Sequence, residues 1–291
     1  IFENLVQHSI ALPSQKRQLD RAGRQEIQME YSAQLQTMHE IACAAGQQIM
    51  QVYESGAPVA VATKDDASPL TEADRRAHQV IVDALSGLRE ELPILSEESE
   101  SISYDERRGW QTYWLVDPLD GTKEFINRNG EFTVNIALID NGIARAGVVH
   151  VPVSGFSYVG ELGYGAWKIQ PDGAAERIFP TTLTPYHQCL RVVASRSHLG
   201  EREQQIVARL RQRFEDLELV NMGSSLKFCL LAEGGADFYP RLAPTSEWDT
   251  AAAHAVLRAA GGDVVTSDFL PLRYNQKAEL LNPHFMAMAD A

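Results

Sequence analysis

Cysteine is scarce in this chain of 291 residues. The three present, Cys43, Cys189 and Cys229, are odd in number and form no C-x-x-C pair, which excludes a disulfide framework and a cysteine-zinc module. Such usage fits a reducing, cytoplasmic compartment. Positive charge is also short. The 26 Lys and Arg face 39 Asp and Glu, a net charge of −13, so no general electrostatic grip on nucleic acid or on an anionic membrane is expected. An anionic substrate would need cations placed locally. Long apolar runs are missing too. The longest stretch free of Asp, Glu, Lys and Arg extends only from Ala146 to Gly160 and contains His150 and Pro152, too short and too polar to span a bilayer. Any contact with the inner membrane would be peripheral, and no residue pattern supports one. Familiar catalytic motifs are absent as well: there is no H-E-x-x-H, no G-x-S-x-G and no G-x-x-x-x-G-K-[ST]. Gly163-Tyr164-Gly165 lacks the third glycine and the strand-to-helix setting of a dinucleotide loop. The eight histidines are scattered and read mostly as structural.

What is present is an ordinary globular composition, with 44% apolar and 22% charged residues, which rules out disorder, collagen and coiled coil. Residues 1–30 show no cationic-then-apolar leader and are read as a polar N-terminal extension of unassigned role. Apolar positions at helical spacing predict a first helix from Tyr31 to Glu54, stopping near Gly56 and Pro58, and a second from Thr71 to Gly87. Between them Val59–Lys64 reads as a strand and Asp65–Pro69 as a polar turn. Strand-length runs follow at Pro93–Ser96, Tyr113–Val116, Phe132–Ile139 and Ala144–Val151. After Pro185 the pattern alternates: strand Leu190–Ser195, helix Glu201–Phe214, strand Leu217–Asn221, helix Ser224–Glu233, and a last helix Glu247–Ala260 closed by Gly261-Gly262. The expectation is an α+β half over 31–185, an α/β half over 186–291, and a boundary near 180–190.

Acidic residues gather where strands end. Leu95-Ser96-Glu97-Glu98 closes one run and Val116-Asp117-Pro118-Leu119-Asp120-Gly121-Thr122 closes another. Hard divalent cations take oxygen ligands, chiefly carboxylates, carbonyls and water. Pro118 and Gly121 bend the chain so that Asp117 and Asp120 can point together, with the Leu119 carbonyl turned to the same place. A surface turn capped by its own aspartates is the alternative for Asp117–Gly121, and a solvated charge run is the alternative for Glu97-Glu98. Thr122 opens a short helix, where backbone N–H groups favour phosphate or serve as mere capping. Thr71-x-x-Asp74 has the form of a capping box; Asp74 could equally accept from Thr122 and orient an attacking water. Ser246-x-x-Asp249 carries the same ambiguity at the last helix. Local cations are Lys123, Lys227 and Arg241, the second in Gly223-Ser224-Ser225-Leu226-Lys227, and each could be plain surface charge.

Asp117-Pro118-Leu119-Asp120-Gly121-Thr122-Lys123-Glu124-Phe125 and Trp248-Asp249-Thr250-Ala251-Ala252, running on to Ala259-Ala260-Gly261-Gly262, resemble the two signatures of the inositol monophosphatase superfamily. The resemblance extends from about Tyr31 to the C-terminus. Thr122–Phe125 and Gly223–Phe228 resemble its 3′(2′),5′-bisphosphate nucleotidases of the bacterial CysQ type. It implies a layered α/β/α/β/α sandwich and a Mg²⁺-dependent, Li⁺-sensitive phosphatase. The implied reaction converts adenosine 3′,5′-bisphosphate to AMP and phosphate in the nucleotide recycling of sulfur assimilation. By matching position, Glu97, Asp117, the Leu119 carbonyl, Asp120 and Asp249 would hold two or three Mg²⁺ ions. Asp74 and Thr122 would activate water, with Glu98 taken beside them as a catalytic carboxylate. The substrate would meet Glu97, Leu119, Asp120, Gly121, Thr122, Lys123 and Asp249 at the scissile phosphate. His198, Ser224, Ser225, Lys227 and Arg241 would hold the rest of the nucleotide. The rivals are an inositol or sugar phosphatase of the same fold, and a silent protein that only binds nucleotide.

Overall fold

The structure, a computed structural model, describes residues 32–55, 62–63, 69–184, 187–194 and 200–290. The extension before Tyr31, most of the turn expected at Asp65–Pro69, and His198 lie outside these residues. Helix α1 (Ala33–Glu54) starts where the Ser32 hydroxyl accepts from the Leu35 N–H, two residues later than expected, because Ser32 is the cap. Leu35, Met38, Ile41, Ala42, Ala45 and Ile49 form its buried stripe. A small antiparallel ribbon, β1 (Ala62–Thr63) with β2 (Pro69–Leu70), leads into α2 (Glu72–Ser86). Thr71 caps α2 and Gly87 ends it, as the sequence predicts.

The chain continues through β3 (Ile94–Ser96), the single turn α3 (Tyr104–Arg107), β4 (Thr112–Asp120) and α4 (Thr122–Ile126). A meander follows: β5 (Thr133–Asp140), β6 (Ile143–His150), β7 (Ser157–Glu161), β8 (Gly165–Ile169) and β9 (Ala175–Arg177). Strands β3 to β9 lie in chain order in one seven-stranded sheet, antiparallel except between β3 and β4. Strand β4 is buried on both faces, which explains its nearly continuous apolar sequence.

The remaining elements are β10 (Cys189–Ala194), α5 (Glu201–Leu210), β11 (Asp216–Asn221), α6 (Leu226–Ala232), β12 (Phe238–Arg241), α7 (Trp248–Ala260), β13 (Asp263–Thr266) and β14 (Phe285–Met288). They build a five-stranded sheet in the order β11-β10-β12-β14-β13, parallel at β11/β10/β12 and antiparallel at β14. The chain passes from one sheet to the other between Arg177 and Cys189.

Three cores define the layers. Helices α1 and α2 cover one face of the large sheet through Leu35, Ile49, Ile81, Trp114, Ile136 and Val148. Helices α6 and α7 fill the space between the sheets through Phe228, Leu231, Val256, Leu257, Val149 and Phe285. Helix α5 covers the outer face of the small sheet through Val207 and Leu210 against Val192 and Phe238. The order is helix, sheet, helix, sheet, helix. Among the described residues no helix is long and apolar enough to cross a membrane.

Several boundaries differ from expectation. Strand β4 does not stop at Val116 but runs to Asp120. Helix α5 ends at Leu210 rather than Phe214, because the chain tightens there into i→i−3 turns, Gln212 N–H to the Arg209 carbonyl and Arg213 N–H to the Leu210 carbonyl. Helix α6 begins at Leu226 rather than Ser224, whose φ of 42° is left-handed and incompatible with a right-handed helix.

Candidate active site

Asp117 and Asp120 are three positions apart, so on a regular strand their side chains would point to opposite faces. Asp117 pairs with Asn135 and Asp120 with Thr133, so three steps along β4 match two along β5. One extra residue bulges out and brings both carboxylates to one side. Pro118 sits in this bulge, where its lack of an N–H costs no ladder bond. The Asp117 carboxylate accepts from the Leu119 N–H at 3.0 Å. Gly121 then takes a φ of 91°, open to glycine, and turns the chain into α4. The Thr122 hydroxyl lies 3.4 Å from the Leu119 carbonyl oxygen.

Three other segments converge here. Glu97 follows β3, its N–H bonded to the Val116 carbonyl at 3.1 Å. Asp249 lies in the first turn of α7 and accepts from the Ser246 N–H at 2.8 Å, but Ser246 is not the cap: Glu247 holds that position and no side chain caps the helix. Asp120 Oδ2 accepts from the Ser225 N–H at 2.6 Å and meets the Ser225 hydroxyl at 2.7 Å. Burial pushes the Asp117 carboxyl well above the usual carboxylate range, and the charges of Glu97, Asp120 and Asp249 push it further. Asp249 is raised to about 8, first by burial and then by Asp120, against the lowering effect of the Ser246 N–H.

Among the described residues no three acidic, histidine or cysteine side chains are already closed around one point as a cation cage. The donor set nonetheless suits a hard cation. It consists of carboxylates with a carbonyl beside them, buried and crowded with too little positive charge nearby to keep all of them ionised. A divalent ion would supply the missing charge.

The capping box predicted at Thr71 is also present. Asp74 is 1% exposed, and its Oδ2 accepts from the Thr71 N–H at 2.8 Å and from the Thr71 hydroxyl at 2.5 Å. Strand β2, which leads into this cap, lies against α4, the helix that Thr122 opens. Glu98 follows Glu97 in the same half-buried turn.

The cationic residues differ from one another. Lys123 is exposed. Lys227 is buried, its Nζ donating to the Ser224 carbonyl at 2.8 Å, and burial lowers its pKa against the pull of Asp120. Arg241 donates to the Pro244 carbonyl at 3.3 Å, while its buried Nε has no hydrogen-bond partner. Ser224 is half-buried, with its hydroxyl 3.5 Å from the Leu226 N–H. Ser225 is 1% exposed and bonded inward. Sequence reasoning missed Asn135, whose Nδ2 donates to Ser225 Oγ at 2.9 Å and lies 3.4 Å from Asp120 Oδ2. A lone amide in the apolar run Phe132–Ile139 was the signal available for it. It also missed Glu131, which accepts from the Gly223 N–H at 2.8 Å.

The layered sandwich and its acidic bulge define the class: the chain belongs to the inositol monophosphatase family, which it matches over residues 30–288. Within that class it is similar to the 3′(2′),5′-bisphosphate nucleotidase CysQ of Escherichia coli K12. The two are 47% identical over 246 residues, which span 84% of this chain and 96% of that protein. CysQ of Haemophilus influenzae is 38% identical over 250 residues, 86% of this chain and 90% of that one. Among solved structures, CysQ from Bacteroides thetaiotaomicron superposes with a TM-score of 0.77 at 44% identity, over 90% of this chain and 99% of its own. The suhB protein of Bartonella henselae gives 0.70 at 26%, over 88% and 94%.

Proposed function

We propose that the chain is a Mg²⁺-dependent 3′(2′),5′-bisphosphate nucleotidase, converting adenosine 3′,5′-bisphosphate to AMP and phosphate. The reaction belongs to the nucleotide recycling of sulfur assimilation, and the proposed location is the cytoplasm. The observation that carries this reading is the buried Asp117 amid Glu97, Asp120 and Asp249, in a chain close to half identical to proteins named for this activity.

Glu97, Asp117, Asp120, Asp249 and the Leu119 carbonyl would hold two or three ions. Bound Mg²⁺ supplies Lewis-acid polarisation and neutralises charge on the phosphoryl and departing oxygens. Asp74 and Thr122 orient the attacking water, Thr122 through its hydroxyl and Asp74 as proton acceptor, with Glu98 beside them. Backbone at Gly121 and Thr122, with Lys123 at the rim, faces the scissile phosphate. Lys227 and Arg241 bring positive charge to the second phosphate in an otherwise acidic protein, and the unpaired Arg241 Nε is a donor that a phosphate oxygen would satisfy. Ser224 and His198 complete the nucleotide contacts.

The test is phosphate release in Mg²⁺ from adenosine 3′,5′-bisphosphate, inositol 1-phosphate and fructose 1,6-bisphosphate, with Li⁺ as inhibitor. The bisphosphate nucleotide should be preferred by kcat/KM. Preference for the inositol ester would move the chain to the monophosphatases. Calorimetric binding of the nucleotide without turnover would make it a silent binder.

A further inference from the structure

The resemblance places Ser225 among the substrate contacts. Its surroundings assign a different task. Ser225 is 1% exposed, and both of its donors, the N–H and the hydroxyl hydrogen, are already engaged. The N–H donates to Asp120 Oδ2 at 2.6 Å. The hydroxyl oxygen stands 2.7 Å from that same Oδ2 and 2.6 Å from the Asp249 carbonyl oxygen, and it accepts from Asn135 Nδ2 at 2.9 Å. One hydroxyl hydrogen serves two acceptors, so nothing remains to donate to a phosphate or a ribose.

This geometry spans the whole site. Asp120 closes β4, Asp249 opens α7, Ser225 precedes α6 and Asn135 lies on β5. A single hydroxyl ties the carboxylate of one proposed cation ligand to the backbone of another, 129 residues on in the chain. Asn135 donates to that hydroxyl and reaches Asp120 Oδ2 itself at 3.4 Å. These donors all converge on Oδ2; none of them reaches Oδ1. Groups that orient a ligating carboxylate through hydrogen bonds typically contribute about 10-fold to 100-fold to metal affinity.

We propose that Ser225 and Asn135 are positioning residues for the cation site, presetting Asp120 and Asp249, and that Ser225 is not a substrate contact. The proposal rests on the assignment of Asp120 and Asp249 as cation ligands. Mn²⁺ binding, followed by the loss of the free-ion paramagnetic resonance signal, is compared for wild type, Ser225→Ala and Asn135→Ala, alongside thermal melts. Steady-state kinetics are then measured over a range of Mg²⁺ concentrations. Both variants should bind Mn²⁺ about 10-fold to 100-fold more weakly. Their Mg²⁺ half-saturation should rise in parallel, with the nucleotide KM at saturating Mg²⁺ within about twofold of wild type. Unchanged Mn²⁺ binding with a raised KM in Ser225→Ala would overturn the proposal and return Ser225 to the substrate. Should Ser225→Ala fail to fold, Asn135→Ala decides by the same two readings. A wild-type protein that binds no Mn²⁺ would sink the cation-site reading itself, whereas wild-type binding matched by both variants sinks only the positioning role.

Discussion

Gly147 on β6 lies so close to Ala252 on α7 that a β-carbon at Gly147 would come within 2.1 Å of the Ala252 carbonyl oxygen. The contact is backbone on backbone, with no flexible side chain to yield. It sets the depth at which α7 rests on the large sheet, and Asp249 stands in the first turn of that helix. Gly147→Ala should therefore push α7 outward and destabilise the fold by at least about 1–3 kcal/mol, the usual cost of overpacking a core. Urea denaturation measures the loss, and Mn²⁺ binding should weaken in the same variant because Asp249 moves with its helix. An unchanged urea midpoint would show that the helix seat is not set there.

Asp120→Asn separates chemistry from folding. The amide keeps the shape and can still accept from Ser225, and it removes one negative charge from beside Asp117 and Asp249. Phosphate release should fall by at least about 10²-fold, because several kcal/mol of charge stabilisation leave with the cation. The metal-free melting temperature at neutral pH should not fall. Turnover close to wild type would contradict the placing of Asp120 among the cation ligands.

Cation affinity should depend on pH in a definite direction. Asp249, raised to about 8, and Asp117, raised by the same burial and crowding, hold protons that a cation must displace. Mg²⁺ half-saturation should therefore improve as pH rises from about 6 toward 8.5. Without metal the sign reverses for stability. A carboxyl with a raised folded pKa stabilises the fold only while it stays protonated. In chelator the melting temperature should thus decline as pH rises from the unfolded carboxyl value of 3.8 toward about 8, and added Mg²⁺ should restore it most at the alkaline end. A chelator effect independent of pH would argue against this cluster as the binding place.

His150, on β6 two strands from the acidic bulge, provides a second pH response. It is 6% exposed, its Nδ1 lies 2.9 Å from the Ser157 hydroxyl, and burial lowers its pKa to about 4. For a histidine with a depressed folded pKa, the neutral ring's contribution is whole above the unfolded value of 6.5 and is lost as pH falls toward 4. The span corresponds to about 3 kcal/mol. Urea denaturation from pH 7 to 4 should show that decline in wild type and a much shallower one in His150→Gln. Parallel curves would assign the acid sensitivity to other groups.

Much of the fold could be read from residues in order. Ser32 and Thr71 cap α1 and α2, and the apolar stripes between their caps and stops locate both helices within two residues. The strands of the meander past His150 escaped notice because β7 to β9 are three to five residues long and separated by glycine turns, so no apolar run stands out. Strands β12 to β14 are four residues each and gain their place only by pairing with segments distant in sequence.

The sequence by itself determined the chemistry on offer: carboxylates at strand ends, a proline and glycines where the chain must bend, few cations, and helices whose caps are written beside them. These are local properties, set by each residue's own backbone preference and charge. Only the tertiary structure decided which carboxylates share a field and which polar groups are used up beneath them. A one-residue bulge turned Asp117 and Asp120 to one side, and the stacking of α7 on the sheet brought Asp249 to meet them. Ser225 bonds inward, to the Asp120 carboxylate 105 residues away and to the Asp249 carbonyl, contacts that no local pattern encodes.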